Sequence, residues 1–593
     1  MFSAATKSGK TATAAAADPY FYDVPLLLSG DGTNGAQNNP FIDGSTNAFS
    51  ITRNGNTTQG SFSPYGSLWS NYFDGSSALT TGSGATFFAG DFTIEFWFMA
   101  PSVPSGYDFY FVDSLNVANN FAIEAYGGIL RWVYSGSTVI GSASFTPTAG
   151  VWYHIALVRS GSGTNNCTMY VNGTALWQAT KTGSVNNSPG PWTIGQAGNS
   201  TTKFTGYISN FRVVNGTAIY TSAFTPPTVP LTAIANTSVL TCQSNRFIEN
   251  SSNAYTISTV GTPSIQRFSP FNPTSPYSTS VIGGSGYFDG SGDYLNLAYN
   301  SAFTFTGDFT VEGWFYPTHS SIQTVYFGIG GDSGGLVVTV ENGATYCYFV
   351  TVGNVLSGAA IKTGAWQHIA VVRSGSGSNN ITLYVNGVSK ATYTSNSTVD
   401  TSDGVGVGYA VAGTSFSKFS GYIADFRVVK GTAVYTGAFT PPTAPLTAIA
   451  NTSLLCSFTN AGIYDSAMMN DLETVGNAQI STSVKKYGTG SIAFDGSVDY
   501  LQAPTNQIYS FGTGDFTIEF WVYANSWTAT ASTVVRIAGS SDWACQFNGS
   551  GVMIFYANGG AQLTDSGSPS TGVWTHYAVV RNGTSLKLYR AGT

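Results

Sequence analysis

Three glutamates and three histidines recur at matching places along this 593-residue chain, and they are its best candidates for acid–base chemistry. Glu95, Glu312 and Glu519 each sit in a G-D-F-T-x-E-x-W motif. His154, His368 and His576 each follow a tryptophan by two residues. Glycoside hydrolysis needs two carboxylates, about 5–5.5 Å apart for retention or about 6.5–9.5 Å for inversion. Here the residue two places after each glutamate is Trp97, Trp314 or Trp521, and no second acid follows. A histidine base would need a nucleophile, and no G-x-S-x-G elbow is present. A metal would need partner ligands, and each repeat offers one such histidine. These groups read as hydrogen-bonded structural residues, so no catalytic residue is assigned and the chain is expected not to be an enzyme.

Tryptophan discriminates better. Six of the twelve recur in pairs (Trp97, Trp314, Trp521; Trp152, Trp366, Trp574) and belong to a shared core by position. Trp192 aligns with Val405 and reads as packing. Trp69 aligns with Gly284 and Trp177 with Ala391, so neither is required by the common core. An aromatic with one exposed face suits a sugar ring, and Trp69 and Trp177 are the candidate carbohydrate-binding residues. Contact with a neighbouring domain or subunit would use them equally well. The five cysteines form no CxxC or Cys/His cluster, and Cys167 replaces Ile381 of the next copy. They read as reduced, buried thiols.

The elements that carry these residues come in three copies. Phe73-Asp74-Gly75 returns at 288–290 and 494–496, at offsets of 215 and 206 residues. After it come GDFTIEFWF (90–98), GDFTVEGWF (307–315) and GDFTIEFWV (514–522), then VWYHIALVRSG (151–161), AWQHIAVVRSG (365–375) and VWTHYAVVRNG (573–583). A Y-V-N-G turn and a G-Y-I-x-x-F-R-V-V segment complete copies one and two. Such periods exceed those of solenoids, so each copy is a whole domain. Phe92, Ile94, Phe96 and Phe98 alternate with Thr93, Glu95 and Trp97, the period of a strand. Ser-Gly and Asn-Gly turns separate such runs, which indicates hairpins. The predicted class is all-β, with sandwiches or jelly rolls. Copy three stops before the closing strands, which would leave open sheet edges. The natural chain is therefore expected to continue beyond Thr593.

Composition narrows the partners. Only 9% of residues are charged, against about 25% in ordinary soluble proteins, while 42% are hydrophobic and 70 are glycine. The 22 Lys and Arg are scattered and outnumbered by 29 acids, which argues against nucleic acid. No apolar run approaches the roughly 18 residues of a membrane span.

The ordered blocks resemble the laminin-G-like, concanavalin A-like lectin superfamily over nearly all of residues 23–593. The resemblance implies three tandem jelly-roll β-sandwiches, at 23–232, 233–446 and 447–593, the third incomplete. Residues 1–22 are read as an N-terminal arm or docking segment, and the Pro-Pro segments at 225–237 and 440–452 as stiff linkers in a rod. Calcium is common in the superfamily; Asp293 and Asp499, four residues after Asp289 and Asp495, are its candidate ligands, with no other cofactor expected. In this Gly/Ser/Thr/Asn-rich tandem form the chain is similar to fibre or appendage proteins of tailed bacteriophages. That resemblance implies a virion protein made in the host cytoplasm, with an arm that binds other virion proteins and a host polysaccharide as ligand. It also implies a homo-oligomer, with a trimer usual for fibres. A non-binding decoration protein and a bacterial surface adhesin remain the alternatives.

Overall fold

The computed structural model describes residues 27–593 apart from 29, 42–46, 49, 55–57, 63–65, 67, 82–89, 115–120, 135–137, 186–191, 199–201, 249, 251–256, 261–263, 268–277, 320–323, 331–333, 342, 350–352, 400–402, 412–415, 462–471, 504–508, 510, 513, 528–531 and 538–542. The expected N-terminal arm, 1–22, lies outside the described residues. Within them the chain is strand and turn, with one four-residue helix (Thr279–Ile282) and one 3-10 turn (Ser301–Phe303).

The alternation read in the sequence produces the strands. In Phe92–Met99 the rings of Phe92, Phe96 and Phe98 and the side chain of Ile94 point into the first sandwich and are fully buried. One sheet of that sandwich runs in the order Thr174–Ala179, Cys167–Val171, Tyr153–Arg159, Phe92–Met99, Thr205–Asn215, Ser70–Asp74. The facing sheet runs Ala78–Thr81, Trp192–Ile194, Asp108–Ser114, Phe121–Tyr126, Ile129–Tyr134, Thr138–Ser144. All these pairings are antiparallel, and the second sandwich repeats them. The core lies between the sheets, around Phe73, Phe111, Trp132 and Trp192.

The Pro-Pro segments do not behave as linkers. The chain after Thr205–Asn215 turns back over the outer face of its own sheet. Tyr220 and Phe224 stack at 3.6 Å, and Phe224 meets His154 at 5.7 Å and Tyr170 at 5.3 Å. Tyr435 and Phe439 repeat this over His368 and Tyr384. This strap explains the Asn-Gly of each Y-V-N-G turn. Asn172 and Gly173 both have positive φ, as a type I′ turn requires. A Cβ on Gly173 would also stand 1.7 Å from the Phe224 carbonyl oxygen.

Sequence order and sandwich membership part company at one place. Each copy begins with two short strands that join the two facing sheets, and the three pairs of strands are equivalent by register. In the third, Thr474 pairs with Leu501 and Ile480 with Ile492, inside its own unit. The first two strands of copy one go elsewhere: Arg53 pairs with Leu295 and Gln59 with Gly286 of the second sandwich. The first two strands of copy two fill the vacated place, with Thr259 opposite Leu79 and Ile265 opposite Asn71. The first two sandwiches thus exchange the edge strands of both their sheets. Their crossing connections touch, since the Arg267 guanidinium lies 4.8 Å over the Trp69 ring and beside Gly66. Phe62 sits among Trp69, Tyr316, Trp366 and Tyr422 at 4.7–6.2 Å, joining the two units through one aromatic cluster.

The expected rod does not form. The start of copy one lies along the third unit. The Gly35 amide donates to the Ile480 carbonyl at 2.8 Å, Asn38 Nδ2 donates to the Leu472 carbonyl at 2.7 Å, and Arg53 pairs with Glu473 at 3.1 Å. Gly514 of the third unit abuts Ala149 of the first.

Candidate functional site

The recurring glutamates are buried rivets. Glu95 Oε1 accepts from Arg212 Nε at 2.9 Å and Nη2 at 2.5 Å; its Oε2 accepts from the Tyr220 hydroxyl at 2.8 Å and lies 3.2 Å from His154 Nε2. Glu312 repeats the set with Arg427, Tyr435 and His368. Burial alone would raise these carboxyl pKa values, but the histidine and arginine partners outweigh it and hold both below the usual range. With every lone pair used and no exposure, neither glutamate can meet a substrate. The arginines donate onward to the Thr232 and Thr447 carbonyls, so the network pins the strap to the sheet. The bland reading of Glu and His is the one that fits, and its Arg and Tyr members were not recognised in the sequence. Their signal was present, because F-R-V-V and A-x-Y-T recur in the same two copies.

The predicted sugar platforms are corrected. Trp69 is 1% exposed and Trp177 is 8% exposed. Trp69 lies beneath Arg267 and against Phe62, in the contact between sandwiches that was the alternative reading. Trp177 packs on Gly141 and donates its Nε1–H to the Leu130 carbonyl. Neither offers a ring face to a sugar.

The calcium candidates serve turns. Asp293 Oδ2 accepts from the Asp289 amide at 3.0 Å, and Asp499 Oδ2 from the Asp495 amide at 2.8 Å. In copy one the Ser77 hydroxyl accepts from the Asp74 amide in the same way. A hydroxyl that does the same work shows that the position needs an acceptor for an amide rather than a cation ligand. No three His, Cys, Asp or Glu groups gather in metal-binding fashion among the described residues. The residues present therefore do not fit a calcium ion. All five cysteines are free and buried, and burial pushes the thiols of Cys167, Cys242, Cys347 and Cys545 up, to about 11 for Cys167 and about 12 for Cys545.

A polar face that the sequence reading passed over stands out instead. Cross-strand pairing brings Asp108 opposite Tyr126, Tyr110 opposite Glu124, and Glu124 opposite Arg131. A bulge between Tyr110 and Val112 returns Asp113 to that same outer face. Arg131 Nε donates to Glu124, and its guanidinium lies 4.8 Å over the Tyr126 ring. Tyr126 is 47% exposed. Glu124 and Asp113 are buried; Asp113 Oδ2 accepts from the Gly198 amide at 2.7 Å, while its Oδ1 has no partner among the described residues. Burial, then the Glu124 charge, raises the Asp108 pKa to about 6 against the pull of Arg131. Burial likewise raises Asp113 to about 6.

This face belongs to the first sandwich alone. At the positions of Tyr110, Asp113, Glu124 and Arg131 the second has Val325, Gly328, Thr339 and Tyr346, and the third has Thr533, Arg536, Gln546 and Ile554. Carboxylates flanking an exposed ring, with a guanidinium held beside them, can accept and donate hydroxyl hydrogen bonds while the ring packs a sugar's apolar face. The clue in the sequence was four charges within 108–131 of a chain only 9% charged.

Burying these acids has a cost with a definite pH sign. A carboxyl raised from 3.8 to about 6 on folding gives stability that is complete below 3.8 and lost as pH rises through about 6. Asp113→Asn is therefore expected to stabilise the first sandwich at pH 7–8 by about 1–3 kcal/mol. It should also flatten the acid side of the profile, as read by urea unfolding from pH 4 to 8.

The chain matches the sequence profile of the Concanavalin A-like lectin/glucanases superfamily at residues 73–221, 289–434 and 495–593. A search of curated proteins by sequence gives no match. Among solved structures, the LG1–3 region of the laminin α2 chain is similar at 11% identity, covering 87% of this chain and 89% of that one, with a TM-score of 0.24. Domain 4 of a GH43 extracellular arabinanase from Geobacillus stearothermophilus, in complex with arabinotriose, is similar at 22% identity, covering 29% and 80%, with a TM-score of 0.21. A candidate carbohydrate-binding protein from Bacteroides ovatus is similar at 15% identity over 34% of this chain, with a TM-score of 0.28, and the chain spans 60% of its length. The family assignment rests on the sequence match alone, which covers about two thirds of the residues in three successive blocks: the chain belongs to the concanavalin A-like lectin/glucanases superfamily.

Proposed function

We propose that this chain is a non-enzymatic adhesion protein that binds a surface polysaccharide through the outer face of its first sandwich. The observation that carries the reading is Tyr126, exposed on a lectin-superfamily sheet with Asp108 opposite it and Arg131 beside its ring. One such face per chain gives weak binding, and several chains in one assembly would raise it through avidity, by roughly 10²–10⁴. The arabinotriose bound to one of the similar structures, and the carbohydrate binding named for another, accord with this chemistry. Binding of the purified chain to a polysaccharide panel is the test. Tyr126→Ala is expected to weaken the best hit at least tenfold, with thermal unfolding of the first sandwich little changed; Arg131→Ala should weaken it as much and also lower the stability of that sandwich, because it leaves the buried Glu124 without its guanidinium. Equal binding by wild type and both variants, or no binding by the folded protein, would overturn the site.

The finer placement is a tail fibre or appendage of a tailed bacteriophage, carried as a homo-oligomer. Tandem lectin-type sandwiches, few charges and few sites for trypsin suit an extracellular particle. Antibody against the chain should decorate intact phage particles, and the isolated protein should sediment as a multimer. Labelling of bacterial cell envelopes in place of particles would favour the surface-adhesin reading.

A further inference from the structure

We infer that the polysaccharide taken by the first sandwich carries free amino groups, held as ammonium beside Asp108 and the Tyr126 ring. The inference rests on the binding face proposed above and adds the charge of its ligand. Three carboxylates lie on that face, and strand geometry sets them in a row. Asp108 and Asp113 stand towards the two ends of Asp108–Ser114, and Glu124 lies between them, opposite Tyr110. At about 3.3 Å per residue the row is about 15 Å long. No three acids gather tightly enough for a metal ion among the described residues. Such a row suits charges repeated along a polymer better than one small cation.

The charge of the row is not balanced. Arg131 donates to Glu124 Oε1 and lies over Tyr126, so one guanidinium serves three carboxylates. Asp108 Oδ1 and Asp113 Oδ1 are buried and have no hydrogen-bond partner among the described residues, and Asp113 as a whole is 5% exposed. Arg131 offsets Asp108 in part, whereas Asp113 has the Gly198 amide in its favour and the Glu124 charge against it. Burying a charge without a counter-charge costs stability, and the fold does not require this one. Where the first sandwich has Tyr110, Asp113 and Ala122, the second has Val325, Gly328 and Val337. There Val325 and Val337 close with Ala410 into an apolar cluster beneath Phe416 and Tyr348. A sugar hydroxyl offers such a carboxylate one donor and leaves its charge as it was. An ammonium offers three donors and the missing charge. Asp108, half-buried across from the open Tyr126 ring, is the acid placed to touch it. Asp113 and Glu124 lie beneath the surface and act through their field, which low-dielectric surroundings strengthen. N-acetylation removes the ammonium charge, so it is the change this face should detect.

The probes are two oligomers of one backbone, a glucosamine hexamer and its fully N-acetylated form, titrated calorimetrically into the 1–593 chain at pH 7. The glucosamine hexamer should bind at least tenfold tighter, and Tyr126→Ala should weaken both. Asp113→Asn should cut that preference at least threefold while leaving affinity for the acetylated hexamer unchanged. The variant relieves a buried charge and is expected to fold. Asp499→Asn removes the same charge from the third unit and should leave the preference intact, which separates the site from general attraction to a chain of net charge −7. Equal affinities that both depend on Tyr126 would overturn the amine and keep the polysaccharide face. So would an amine-free polysaccharide bound through Tyr126 more tightly than the glucosamine hexamer. Tight binding indifferent to Tyr126→Ala and Asp113→Asn, or no binding of any sugar by the folded chain, would overturn both. Oligolysine bound as tightly, with the same dependence on Asp113, would overturn the sugar in favour of a basic peptide.

Discussion

Glu312→Ala should be the most damaging single substitution in the second sandwich, lowering its stability by about 3–5 kcal/mol. The carboxylate is fully buried and accepts from Arg427 and Tyr435 with His368 at 3.2 Å, so its removal strands a buried guanidinium and a phenol. The loss arises from an uncompensated charge more than from lost attraction. Glu519→Ala is the internal control. Its carboxylate is a third exposed and meets no arginine among the described residues, so the change should cost less than about 1 kcal/mol. Acid should imitate the first substitution. A carboxyl held below its usual value gives stability that is complete above about 4.3, the ordinary glutamate value. That stability is lost as pH falls through the lower folded value. Urea titrations of wild type and both variants at pH 7 and pH 3 would check sign and size; equal costs for Glu312→Ala and Glu519→Ala would refute the rivet.

The exchange of edge strands predicts a cross-link that contiguous domains could not make. Ser258 and Thr80 face each other across the first sandwich's edge, and Thr80→Cys with Ser258→Cys should oxidise to a disulfide in high yield. Thr80→Cys with Thr52→Cys should not, although copy one would pair these residues if it kept its own edge strands. The five natural cysteines are buried and give little background. The bond closes a long loop and is expected to stabilise the joined pair of sandwiches by up to about 5 kcal/mol. Non-reducing electrophoresis and a thermal melt would read both effects. Efficient cross-linking of 52 to 80 would instead show that each sandwich keeps its own strands.

Much of the fold was legible because repetition and period-two alternation report directly on strands. Phe92, Ile94, Phe96 and Phe98 had to face one way, and they do. The face opposite them was harder to read. Thr93 and Glu95 also alternate, yet they are buried, because a strap that looks like a Pro-rich linker folds over them. The strand exchange was invisible, since three equivalent pairs of strands satisfy equivalent edges whichever copy supplies them. The link from Gln59 to Asn71 is as long as that from Ile480 to Ile492, so chain length does not choose between the two arrangements. The candidate site eluded a search for repeated residues for a simple reason. Tyr126 and Arg131 matter through what the sister sandwiches lack, whereas Trp69 and Trp177, unshared too, are consumed by packing.

The exchange also sets a timetable for synthesis. When Asn215 has been added, the first sandwich owns all of its central strands, but the strands that close its edges, Ile257–Val260 and Ser264–Gln266, have not yet been made. At about 5–20 residues per second the ribosome needs roughly 3–10 s more to deliver them. Throughout that interval only copy one's own Thr52–Asn54 and Thr58–Gly60 can cover those two edges, and they must leave again for the exchange to form, on a nascent chain poor in repelling charge. Neighbouring ribosomes on one message would carry matching donors and acceptors, so crowded translation should yield tangled dimers whose edge strands have crossed between molecules.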